Sequence, residues 1–138
     1  MEDRYLFKAK RISDGEWVIG FYAYINKKHY IYTGQLIRSG LYDIAERFEV
    51  DPSTICQCTT SQDKNGKLIW ENDIAKDKHG NFCKAFWRNS RNQFSWICVK
   101  SDVFSIGTKW DLWSFSLPGI EIIGNVFDNP ELIESEEK

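Results

Sequence analysis

Ile55-Cys56-Gln57-Cys58-Thr59-Thr60-Ser61-Gln62-Asp63-Lys64-Asn65-Gly66-Lys67-Leu68-Ile69-Trp70 is the stretch that decides how this chain is read. Two runs suited to a half-buried pleated surface flank a polar Asp-Lys-Asn-Gly break, which predicts a strand, a tight turn and a second strand. Asn-Gly tolerates the positive φ angles of a two-residue hairpin loop, so Asn65 and Gly66 are expected to form a structural turn. Asn72-Asp73 then interrupts the pattern, and Asp73 is expected to cap local amides with its carboxylate before Ile74-Ala75-Lys76 resumes.

Working downstream, strands at about 81–88 and 93–99 flank the polar turn Asn89-Ser90-Arg91-Asn92, and Trp110 to Phe115 and Ile120 to Phe127 supply two more around Pro118-Gly119. Many short strands with regular turns predict a small SH3-like barrel over residues 51–132. Asn129-Pro130-Glu131-Leu132 reads as a single helical turn, with Asn129 accepting from an orphan amide and Pro130 in the first turn. Residues 133–138 form an acidic tail.

Working upstream, Tyr5 to Lys10, Trp17 to Ile25 and His29 to Tyr32 read as an antiparallel arm over residues 1–50. Leu41, Ile44, Ala45 and Phe48 recur at three- and four-residue spacing, predicting a short amphipathic helix over 40–48 that stops before Asp51-Pro52. The expected fold is mainly β: an N-terminal antiparallel arm with a short helix plus a small SH3-like barrel, with α+β as the alternative. Such an arm is expected to be too short to enclose a core of its own.

Composition supports the β reading, since 6 Trp, 6 Tyr and 9 Phe stand among 138 residues. A net charge of −2 and a pI of 5.7 argue against a molecule that binds polyanions or membranes with its whole surface. Met1-Glu2-Asp3-Arg4 lacks the basic and apolar regions of a secretory signal, so a cytosolic location is expected, with Cys56, Cys58, Cys83 and Cys98 as reduced thiols. Cys56-x-Cys58 is too closely spaced for the common zinc knuckle, and Cys83 and Cys98 lie on other strands, so neither metal nor cofactor is expected. His29 and His79 read as turn residues outside any metal or catalytic frame. Glu71 and Asp73 share a strand face in principle, but the turn chemistry favours a structural role. With no phosphate loop, nucleophile elbow or dinucleotide fingerprint, no enzymatic activity is expected.

One region suggests binding. Residues 76–100 hold Lys76, Lys78, Lys84, Arg88, Arg91 and Lys100 against Asp77, interleaved with Phe82, Phe86, Trp87, Phe94 and Trp96. Cations beside aromatic platforms suit single-stranded nucleic acid, which makes Lys84, Arg88, Arg91, Trp87 and Trp96 a candidate surface. The competing reading buries the rings as core and leaves the cations as a solvated face.

Two motifs together carry a resemblance. Residues 51–74, from Asp51-Pro52-Ser53-Thr54 through Asp63-Lys64-Asn65-Gly66-Lys67 to Trp70-Glu71-Asn72-Asp73-Ile74, resemble the central motif of the YopX family. Ile123-Gly124-Asn125 followed by Asn129-Pro130-Glu131-Leu132 resembles its closing motif. Thr60 and Asn72 stand where that family usually has glycine, and Cys58 replaces an aromatic residue. The resemblance implies a small bacteriophage or prophage accessory protein in the bacterial cytosol, and it supplies no catalytic residues. The expected function is a non-enzymatic protein-interaction module, self-associating into a homo-oligomer or binding a phage or host protein. The aromatic segment 5–32 is the expected interface. The alternative is weak single-stranded nucleic-acid binding through 76–100.

Overall fold

The computed structural model describes residues 3–112 and 119–133. The chain divides into two compact units, Met1–Cys58 and Thr59–Lys138, instead of parting after Val50. The acidic tail beyond residue 133, Pro118 and the second half of the strand expected at 110–115 lie outside the described residues.

In the first unit, β1 (Phe7–Lys10), β2 (Trp17–Ile25), β3 (Lys28–Ser39), β4 (Tyr42–Glu49) and the start of β5 (Cys56–Gln62) pair antiparallel in the order β4-β3-β2-β1-β5. Asn26 and Lys27, both at positive φ, make a two-residue loop between β2 and β3. Gly40-Leu41 joins β3 to β4 with Ser39 opposite Tyr42. The segment expected to be helical is therefore a strand. The spacing of Leu41, Ile44, Ala45 and Phe48 fits a helix, but Tyr42, Ile44 and Phe48 also alternate with period two, and β3 offers the ladder that settles the choice.

The arm has a core of its own, contrary to expectation. Ala9, Val18, Ile31 and Val50 are buried, with Phe7, Tyr22, Phe48 and Ile55 packed against them. The sheet curls far enough for Arg11 to bridge Val50. Ile12 N–H donates to Glu49 O (3.0 Å) and Asp51 N–H to Lys10 O (2.9 Å). Asp51 also caps a short 3₁₀ turn, Pro52–Thr54, by accepting from Ser53 N–H. Thr54 Oγ1 accepts from Lys10 N–H (2.9 Å), which ties that turn back to β1.

In the second unit, the end of β5 pairs with β6 (Leu68–Trp70), and β7 (Asp73–Lys76), β8 (Phe82–Arg88), β9 (Gln93–Lys100), β10 (Lys109–Asp111) and β11 (Glu121–Asn125) form an antiparallel sheet. Its order is linear, β10-β9-β8-β7-β11, so among the described residues the expected barrel is an open sheet. One face carries the core of Ile69, Ala75, Cys83, Ala85, Trp96, Leu112, Ile120 and Ile122. All four cysteines are free and buried, and burial, helped by the neighbouring Cys98, pushes the Cys83 thiol far up.

Candidate interaction surface

Asp63 organises the hairpin that the sequence singled out. Its Oδ1 accepts from Asn65 N–H and Lys67 N–H (2.9 Å each), and its Oδ2 accepts from Ile122 N–H at 3.0 Å. Burial alone would raise this carboxyl, but the three amides outweigh it and hold it below the ordinary range. The loop is not the two-residue turn expected. Asp63 N–H donates to Lys67 O, Gly66 N–H donates to Asp63 O, and Gly66 alone of the loop residues has positive φ, at +80°. That is a three-residue loop with its left-handed residue last. Asp73 is buried and its Oδ2 accepts from Trp70 N–H at 2.8 Å, which fixes the β6–β7 turn around Asn72 at φ +72°.

The closing motif has a geometric reason. A Cβ on Gly124 would stand 2.6 Å from Asn129 Cγ, so only glycine leaves room for that amide. Asn129 does not cap the turn Pro130–Leu132 with its side chain; its Oδ1 accepts from Asn125 N–H instead.

The candidate nucleic-acid residues do not form one surface. Trp96 is 0% exposed and donates through Nε1 to Leu112 O, so it cannot stack on a base. Trp87 is 41% exposed and meets Phe94 edge-on, 5.1 Å between ring centres. By register, Trp87 pairs with Phe94 and Ala85 with Trp96, which puts Trp87 on the core face of β8. Lys84 and Arg88 lie on the opposite face with Phe82 and Phe86. Arg91 follows in the β8–β9 turn, exposed and 3.6 Å from Asp111. A separate open cleft of about 510 Å³ gathers Lys64, Lys76, Lys78 and His79, but Asp77 and Glu121 share it and Lys64 is committed to Glu121 at 3.4 Å. Asp77 accepts from His79 N–H, Asn81 N–H and Asn81 Nδ2. Burial opposes ionisation there, and these bonds outweigh it.

His29 is half-buried on β3, 2.6 Å from Tyr22 Oη and stacked on that ring, whereas His79 is exposed. No cluster of three or more metal-binding side chains occurs among the described residues. No helix among them is long and apolar enough to cross a membrane.

The surface that sequence reasoning missed is the outer part of the β3–β4 ribbon. Residues 34–45 are all exposed, Leu36 to 69%, Leu41 to 84% and Tyr42 to 74%, with Ile37 and Ile44 beside them. Leu36 faces Ala45, Ile37 faces Ile44, Arg38 faces Asp43 and Ser39 faces Tyr42. A two-stranded ribbon with both faces in water is marginal by itself, and exposed apolar patches of this kind mark binding surfaces. The aromatic residues of 5–32 are divided. Phe7 and Tyr22 pack against the core, Arg47 lies 4.1 Å over the Tyr30 ring and donates to Tyr32 Oη, and Tyr5 and Tyr24 are exposed.

Among protein families, the model described as YopX protein matches residues 7–134. No curated protein matches the chain significantly.

Proposed function

This chain belongs to the YopX protein family, and on that premise we propose that it acts by binding, as a protein-interaction module that associates with itself through the β3–β4 ribbon. The proposal extends to a phage or prophage accessory role in the bacterial cytosol. The observation that supports the ribbon is its exposure: Leu36, Ile37, Leu41, Tyr42 and Ile44 project from a hairpin with no layer packed on it among the described residues of the first unit. Replacing Leu36 and Tyr42 together by Asp tests this. The expected outcome is an unchanged melting temperature with loss of concentration-dependent mass in light scattering. Association that survives the double change, in a folded protein, contradicts the ribbon.

A second reading rests on a different observation. On β8, Phe82, Lys84, Phe86 and Arg88 alternate onto one face, and Lys100 Nζ lies 5.3 Å over the Phe82 ring. Rings and cations on one sheet face suit weak single-stranded nucleic-acid binding. The rings are half-buried, which limits stacking. Anisotropy of a labelled single-stranded DNA should show salt-sensitive binding that Lys84→Glu with Arg88→Glu removes. No binding at low salt rejects this reading.

A further inference from the structure

Backbone direction at the end of β4 sets what its free edge offers. Val50 N–H donates inward to His29 O, whereas Glu49 O and Asp51 N–H bond outward to Ile12 and Lys10. Carried back along the strand with antiparallel alternation, this turns the amides and carbonyls of Asp43, Ala45 and Arg47 away from β3. β4 is an edge strand of its sheet, and beyond the contact at Glu49 those groups meet no strand among the described residues.

Resting on the self-association proposed above, the geometry points to a specific partner and register: a second copy of this chain, whose β4 pairs antiparallel with this one about a twofold axis at Ala45. Paired residues must share a face, so a self-pairing strand can be centred only on a residue facing its own copy. Centring on Asp43, Glu46 or Arg47 sets like charges opposite each other, and Glu46 would also place Asp43 against Glu49. Centring on Ile44 forms no charge pair. Positions beyond Arg47 run into the contact that Ile12 makes with Glu49. Centring on Ala45 places Asp43 of each copy opposite Arg47 of the other, twice, and the outward backbone groups of 43, 45 and 47 then face one another as hydrogen-bonded pairs. Tyr42 falls opposite Phe48 and Ile44 opposite Glu46, so the Ile37, Tyr42 and Ile44 sets of both copies lie on one face. Asp43 is already 3.4 Å from Arg38 and would lie between two guanidiniums, while Arg47 is held over Tyr30 with donors to spare.

Charge reversal reads the register directly. Asp43→Arg alone and Arg47→Asp alone each set two like pairs across the axis and should raise the dissociation constant at least about tenfold. Mixed in equal amounts, the two variants regain both opposite pairs and should form a heterodimer as tight as the original. A chain carrying both changes should again self-associate. Ala45→Pro removes an amide that points away from β3, so it should abolish association while the melting temperature holds. Single variants that associate like the original overturn the register while self-association stands. An original chain that is monomeric at every concentration overturns the self-association on which it rests. A mixture that stays monomeric, although the double variant is folded, also overturns the register.

Discussion

Thr60 holds a β-branched side chain at φ +71°, a region that L-residues other than glycine, asparagine and aspartate rarely occupy. Glycine at this position within β5 would relieve that strain. Thr60→Gly should raise stability by about 1 kcal/mol and the melting temperature by a few degrees, read by calorimetry. Asn72→Gly, at φ +72°, should do much less, because asparagine tolerates this region. A fall in melting temperature for Thr60→Gly would show that the threonine side chain is needed. Asp63 contributes to the acid sensitivity. Its folded pKa lies below that of the unfolded chain, as do those of Asp51 and Asp77, so the stabilisation is complete above the unfolded value, about 4, and is lost as pH falls through the folded values. Melting temperatures should therefore fall below about pH 4. Asp63→Asn turns a donor group towards backbone amides, should cost about 2 kcal/mol at neutral pH, and should flatten part of that acid slope. Equal acid slopes in the two proteins would assign the sensitivity elsewhere. The Asp-Lys-Asn-Gly turn was legible from its residue types, but the reach of Asp63 to Ile122 was not, because 59 residues of chain separate the pair.

Strands were legible where turn chemistry bounded them, as between β5 and β6 or β8 and β9, and illegible where one apolar spacing fits two periods. Leu41, Ile44, Ala45 and Phe48 satisfy a helix, and only pairing with Leu36 to Ser39 makes the segment β4. Alternation of Tyr42, Ile44 and Phe48 after Gly40 was the signal available. Over residues 34–45 the ribbon has neither face packed among the described residues, so its backbone hydrogen bonds should open easily in the isolated chain. Amides of residues 35–45 should exchange fast in dilute solution and slow markedly in concentrated solution. Exchange that is equally fast at both concentrations would remove the ribbon from any interface.

At the scale of the molecule, strand content was legible and closure was not. Counting strands and turns cannot say whether a sheet's edges meet. Here the unit expected to be a mere arm curls around Ala9, Val18, Ile31 and Val50, while the region expected to close runs linearly from β10 to β11. The candidate nucleic-acid constellation is divided for a related reason. Alternation separates Lys84 and Arg88 from Trp87, and the sheet's core claims Trp96. In the first unit β4 is an edge strand and the β3–β4 ribbon is exposed over residues 34–45, and on the reading proposed above a second copy covers both. Light scattering of the intact chain across a hundredfold dilution measures this directly. Self-association predicts a mass that rises with concentration from 16.2 kDa towards twice that value. A mass of 16.2 kDa at every concentration would contradict it.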